Sequence, residues 1–505
     1  MKSATAAALG GWRRNGRDGC AREQGDLSGQ ESRAGVRALI VARKRRNGRG
    51  AKGGRKVDVA MDRSKEDKPA AVPKATRPGE VRARWAWTEP SVWTERMLTA
   101  LEQGVKGGRW YSLMDKVCRP ENLRRACARV KANKGSPGVD HVTVEAFERR
   151  LEANIERLSQ SLADGTYRPQ AIRRKWIEKA GKRGEYRPLG IPTIRDRVVQ
   201  TALRQVIEPI FERDFAECSY GFRPNRGCKD ALRRVDKLLR AGYVYVVDAD
   251  VRGYFDNIPW EPLMGRVREK VIDGRVLTLI EMFLQQQILE DAKHWTPEKG
   301  SPQGAVISPL LANIYLDPLD HRMAEAGFEM VRYADDFVIL CRTQNEAEAA
   351  LARVRQWTEA AGLELHPEKT RLVNATERGG FDFLGYHFER GKRWPSKKSE
   401  KRLKDKIRAQ TRRTHGHSLE RKTIPELNRI IQGWFEYFKH GHYTTFPTLD
   451  GWIRMRLRSI LRKRHGGRGR GRGRDHQRWP NVYFVELGLF SMTAARAAIG
   501  QSSRR

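Results

Sequence analysis

Along the middle of the chain, apolar and polar positions alternate with a period of two. Met330–Cys341, MVRYADDFVILC, places Val331 and Tyr333 before a polar tip and an apolar run, Phe337–Leu340, after it, which predicts a β-hairpin with Asp335 and Asp336 at its turn. Tyr243–Ile258 alternates aromatic and β-branched residues and runs straight into Asp248 and Asp250, which on a strand share one face. Lys175–Pro192 predicts two strands around a basic turn, followed by a helix over Arg195–Phe211. Before these strands, SVWTERMLTALEQG predicts an amphipathic helix closed by Gly104, and Glu121–Lys131 a second one, ahead of the Gly and Pro rich loop Asn133–Asp140. After them, helical spacing recurs over Glu346–Ala361, Leu427–His440 and Leu449–Arg464.

Residues 1–80 are rich in Gly, Ala and Arg without such a period, so they predict a disordered basic extension; Met61 is an alternative start to Met1. The Gly466–Arg474 run, GGRGRGRGR, predicts a flexible loop contacting RNA.

Composition then narrows the partners. The 505-residue chain carries 99 Lys and Arg against 61 Asp and Glu, a net charge of +38, which points to a polyanion. No apolar run approaches the roughly 20 residues that span a bilayer, so nucleic acid is preferred over membrane. Six scattered cysteines form no C-x-x-C pair, which argues against a zinc ribbon and suits a reducing cytoplasm.

Carboxylates at two strand ends offer hard oxygen ligands for magnesium, and paired ions suit phosphoryl transfer. Aspartates are also common in exposed turns, and the hairpin alone leaves both readings open. Taken together, YADD after an apolar strand, Asp250 followed five residues later by Phe255, and Gly300–Leu316 (GSPQGAVISPLLANIYL) resemble the palm motifs of group II intron-encoded reverse transcriptases and maturases, and Phe381–Phe388 (FDFLGYHF) resembles that family's primer-contacting hairpin. The resemblance extends from about Trp85 to the C-terminus and takes in SYGFR, Ser219–Arg223, whose Gly221 suggests close backbone approach, and the Gly and Pro shaped loop at Gly300, leading into a helix whose N-terminal amides would face template or nucleotide phosphates.

It implies an α+β fold: the fingers and palm of a right-hand polymerase, then an α-helical thumb or maturase domain. Expected domains are an N-terminal helical extension at 81–175, fingers and palm at 176–390, thumb at 391–475, and a short segment at 476–505 with no endonuclease domain. The resemblance further implies that Asp250, Asp335 and Asp336 hold two Mg2+ ions and that Arg187, Phe255, Gln303 and Lys369 meet the nucleotide. Arg187 would bind its triphosphate, Phe255 would exclude a 2′-hydroxyl, and Lys369 would protonate the pyrophosphate. Arg454, Arg458 and Arg462, four apart and so one stripe on a helix, are expected to face outward and bind RNA. Implied partners are the group II intron RNA, a DNA target or primer and deoxynucleoside triphosphates; the sequence also allows a homodimer. The rival readings are a reverse transcriptase of the retron, diversity-generating or CRISPR-associated classes, and a maturase that binds RNA without polymerising.

Overall fold

The computed structural model describes residues 80–178, 184–291 and 293–502. The arm expected at 1–80 lies outside these residues except for Glu80, as does the basic tip of the first hairpin at 179–183. No helix of the described residues is long and apolar enough to cross a membrane.

Strands are numbered in chain order: β1 (Ile172–Glu178), β2 (Tyr186–Ile191), β3 (Tyr245–Asp250), β4 (Ile288–Glu290), β5 (Lys293–Trp295), β6 (Glu329–Tyr333), β7 (Asp336–Cys341), β8 (Arg371–Asn374), β9 (Phe381–Phe383), β10 (Tyr386–Glu389) and β11 (Lys392–Pro395). They form three sheets, β2-β1-β4-β5, β6-β7-β3-β8 and β11-β10-β9. The middle sheet is antiparallel throughout, with β3 at its centre between β7 and β8.

Strand alternation explains why this sheet is buried on both faces. Val247, Ala249, Phe337 and Ile339 point to the main core, which also takes up the N-terminal helices. Val246, Val331, Val338 and Leu340 point the other way and pack with the helix Cys228–Arg240 and with Phe381, Phe383, Tyr386 and Phe388. Asp248, Asp250 and Asp336 share that second face.

The predicted helix at Arg195–Phe211 spans Ile194–Glu212 and starts at the Thr193 cap, whose side chain accepts from the Asp196 amide. It is buried almost all round, as expected for a helix through the middle of a core. Its buried Asp196 is paired: it accepts from the Tyr167 hydroxyl at 2.7 Å and the Gln170 amide at 3.0 Å. The Asn133–Asp140 loop docks against it and against β1, because Arg197 of the helix donates to the Ser136 carbonyl and Arg173 of β1 to the Pro137 carbonyl.

After β11 the chain is helical, with Lys397–Gln410, Ile424–Phe438 and Thr445–Arg464 packed around a core of their own. Residues past 475 share this core: Trp479, Phe484, Leu489 and Met492 are buried in it. This packing overturns the outward stripe. Arg458 is only 2% exposed and donates to the Trp479 carbonyl and to Asn481 Oδ1, each at 2.8 Å. Arg462 donates to the Arg468 carbonyl at 2.8 Å and pairs with Asp475 at 2.7 Å, while Arg454 is half-buried. The stripe exists, but the later chain covers it.

Gly466–Arg474 is likewise built into the thumb. A Cβ at Gly471 would lie 2.5 Å from the Cβ of Arg458, so only glycine fits, while Arg468, Arg470, Arg472 and Arg474 face solvent. Arg458→Ala is expected to destabilise the thumb by about 1–3 kcal/mol, because the buried Trp479 carbonyl loses its donor and the guanidinium's packing is lost with it. Chemical denaturation checks this, and an unchanged midpoint would show that water replaces the guanidinium without cost.

Candidate active site

The hairpin places the carboxylates. β6 and β7 pair antiparallel, with Tyr333 opposite Asp336, leaving Ala334 and Asp335 as the two-residue turn; Ala334 has a φ of +61°. On the other side, Asp336 lies opposite Asp250 of β3, so Asp250, Asp335 and Asp336 gather at one end of the sheet. The strained tip is held from below by Arg332, fully buried, which donates to Asp320 Oδ1 at 2.7 Å, to Asn313 Oδ1 at 3.0 Å and to the Ala334 carbonyl at 3.0 Å. Burial alone would pull this guanidinium down, yet the paired Asp320 carboxylate holds it above the ordinary arginine value.

Gly221 of the SYGFR segment is the second support. A Cβ there would lie 2.2 Å from the Ala334 amide nitrogen, and the Gly221 carbonyl accepts from Asn313 at 2.8 Å. The close backbone approach expected at this glycine is therefore made against the turn that carries Asp335.

Crowding of like charges dominates the electrostatics. Asp336 is open to water but densely surrounded, and its carboxyl is pushed up to about 7, first by burial and then by Asp335, Asp248 and Asp250, against a hydrogen bond from the Leu384 amide. Asp335 is raised by burial and by Asp250, with Arg332 and Lys369 opposing. Lys369 forms an ion pair with Asp250, and Arg371 pairs with Asp248 at 3.2 Å. Carboxylates gathered this tightly ionise together only when a cation offsets them. Hard oxygen donors in this charge balance fit a divalent ion, although among the described residues no three His, Cys, Asp or Glu side chains already converge as a metal cage. The Lys369 ammonium takes up part of the negative charge at Asp250 that a cation would otherwise offset.

The nucleotide residues divide into two groups. Phe255 lies in the short helix Tyr254–Asn257, half-buried against the main core, and its carbonyl accepts from the Ser301 amide at 2.7 Å. That bond ties it to the loop bearing Gln303, whose carbonyl accepts from the Gly190 amide at 2.6 Å and so locks the loop onto β2. Gly304, at a φ of +109°, is required because a Cβ would meet the Gly190 carbonyl at 2.3 Å. Arg187 sits on β2 opposite Ile177, and its charge, after burial, lowers Arg402 on the helix Lys397–Gln410. Arg454, Arg458 and Arg462 belong to the thumb and stand apart from this group.

One expectation is corrected. The amides leading into the helix Ser308–Glu325 do not present themselves to phosphate, because Val306 and Ile307 donate to the Gln200 side chain at 2.7 and 3.4 Å. Arg332, Asn313 and Asp320 were absent from the sequence reading. Their visible signal is Asn and Asp seven apart, and so on one face of the helix, beside an arginine in an apolar strand.

Comparison with known proteins agrees with this geometry. Residues 177–388 match the family model described as reverse transcriptase (RNA-dependent DNA polymerase), and residues 400–479 that of the group II intron maturase-specific domain. Protein YkfC of Escherichia coli K12 is 32% identical over 349 residues, 61% of this chain and 86% of that protein. The group II intron-encoded protein LtrA of Lactococcus lactis is 40% identical over 204 residues, 40% of this chain, which spans 33% of LtrA. Among solved structures, a chain of a partial Cas6-RT-Cas1-Cas2 complex is 27% identical with a TM-score of 0.33, over 49% of this chain and 41% of that one. Reverse transcriptases use divalent metal ions, and the maturase-specific domain marks an RNA-binding protein. A palm hairpin with paired strand-end carboxylates, followed by a maturase-specific helical domain, places this chain in the family of group II intron-encoded reverse transcriptases and maturases.

Proposed function

We propose that the chain extends a DNA primer on the group II intron RNA that encodes it, and that it binds this RNA to assist splicing. The observation carrying the proposal is the register that sets Asp250 opposite Asp336, with Asp335 in the adjoining turn. These three carboxylates would hold two magnesium ions, which when bound supply charge to the attacking and leaving oxygens of an in-line displacement. Lys369, on Asp250, would give a proton to the departing pyrophosphate. Phe255 would close the pocket to a 2′-hydroxyl, with Gln303 beside it on the locked loop, and Arg187 would hold the triphosphate by bidentate hydrogen bonds.

The maturase-specific match at 400–479 favours the intron class over retron, diversity-generating or CRISPR-associated enzymes. Since Arg458 is buried, the RNA grip is reassigned to the exposed Arg468, Arg470, Arg472 and Arg474. The whole reading is tested with an RNA template, a DNA primer and deoxynucleotides. Extension should require the template and stop on chelation, while intron RNA binding survives chelation. Tight intron RNA binding without any extension would leave the RNA-only maturase instead.

Phe255→Val is expected to raise incorporation of ribonucleotides relative to deoxynucleotides by tenfold or more, roughly the worth of one steric clash relieved in a closed pocket. Competition between the two nucleotide kinds on one template measures it; an unchanged ratio would leave Phe255 as core only.

A further inference from the structure

A hydrogen-bonded path runs from the thumb to the catalytic carboxylates through Leu384, at the turn between β9 and β10. Phe383 pairs with Tyr386, so Leu384 and Gly385 form a two-residue loop, and their φ values are +48° and +83°. Two positive values in succession are the pattern of a type I′ turn, in which Asn or Asp ordinarily precedes the glycine. Leucine suits that backbone poorly, so its conformation is held by its surroundings.

Those surroundings engage both polar groups of Leu384, one from each domain. Its amide donates to the Asp336 carboxylate of the palm. Its carbonyl accepts from the Tyr437 hydroxyl, 2.8 Å away on the thumb helix Ile424–Phe438. A residue held at its amide and at its carbonyl has neither soft dihedral free. The same helix is fastened to the hairpin again, because the Tyr386 hydroxyl donates to the Tyr437 carbonyl at 2.7 Å. Gly385 is clasped as well, its carbonyl accepting from the Ser396 amide at 2.8 Å and from the Ser399 hydroxyl at 3.0 Å. Docking of the helix does not need the Tyr437 hydroxyl, since Phe438 is buried there with its ring 4.9 Å from that of Tyr386. What the hydroxyl adds is the orientation of Leu384.

We propose that Tyr437 is a positioning residue for the catalytic cluster: from the thumb it fixes Leu384 so that the Leu384 amide meets Asp336 and sets the direction of that carboxylate. The thumb is then part of the catalytic apparatus without touching a reacting atom. The consequence for catalysis rests on the reading of Asp250, Asp335 and Asp336 as ion ligands.

Hydrogen exchange read by mass spectrometry on the full chain without metal follows the Leu384 amide directly. Tyr437→Phe removes only the hydroxyl, and exchange at that amide should quicken by about fivefold, the net worth of one hydrogen bond. Asp336→Ala should quicken the same amide. Tyr386→Phe loosens the helix but leaves the Leu384 carbonyl bonded, so its exchange should stay close to the parent's. In single-turnover extension, Tyr437→Phe should be slowed most at limiting Mg2+ and recover as Mg2+ is raised, with affinity for primer–template close to the parent's. Unchanged exchange in Tyr437→Phe overturns the inference, as does an equal effect of Tyr386→Phe on exchange and rate, since helix packing would then explain both. A Tyr437→Phe chain that loses primer–template affinity but keeps the parent's rate and Mg2+ requirement also overturns it, because the hydroxyl would then serve the primer. Exchange shifts as expected in a chain that never extends a primer would leave the positioning of Asp336 standing and sink the polymerase proposal.

Discussion

Asp335→Asn is expected to reduce primer extension by roughly a thousandfold or more while leaving RNA binding nearly intact. The substitution keeps the shape of the side chain and removes one negative oxygen donor from a cluster whose members already raise one another. Losing several kcal/mol of transition-state stabilisation converts to a rate loss of that order. Nothing on the thumb changes, so the affinity for intron RNA should hold within about twofold. Single-turnover extension on an RNA template, beside a binding titration, separates the two effects; extension at the parent's rate would remove Asp335 from the chemistry.

The second large effect is expected beneath the turn. Arg332 and Asp320 are both fully buried, and Arg332→Met would leave the Asp320 carboxylate without its partner in the main core. Breaking a buried pair from one side costs about 3–5 kcal/mol, whereas replacing both members with apolar residues is often close to neutral. Arg332→Met should therefore lower stability by that amount, and Asp320→Leu added to it should restore most of the loss. Extension should not recover with stability, because Arg332 also holds the Ala334 carbonyl and with it the strained turn before Asp335. Denaturation and extension measured on both variants test this, and a single variant as stable as the parent would show that other contacts hold the turn.

These two sites differ in how far the sequence revealed them. Asp335 and Asp336 could be read at a hairpin turn because alternation and a polar tip are local signals, and the strand before Asp250 was legible for the same reason. The pairing of β3 with β7, which brings Asp250 opposite Asp336, joins segments about eighty residues apart and left no local trace. Arg332 was invisible because a charged residue in a strand ordinarily marks a solvent face, and only its distant partners, Asn313 and Asp320, reverse that. The thumb shows the opposite failure. Helical spacing correctly put Arg454, Arg458 and Arg462 on one stripe, but spacing says nothing of which later segment covers it, and Trp479 to Met492 does so here.

Gly221 lies between these cases. A glycine in a short motif suggested close backbone approach, and the approach is real, but its object, the Ala334 amide, could be named only from the fold.

The central claim is that Asp250, Asp335 and Asp336 jointly hold divalent ions for nucleotidyl transfer, and manganese binding followed by electron paramagnetic resonance tests it most directly. With an RNA template, a chain-terminated primer and the next deoxynucleotide present, the free Mn2+ signal should fall by about two equivalents per chain, the number an in-line two-metal displacement uses. With Asp250→Asn or Asp335→Asn it should fall by clearly less under the same conditions. Equal manganese uptake by the parent and both variants would contradict the account, since the ions would then be held by the nucleic acid and nucleotide without these carboxylates.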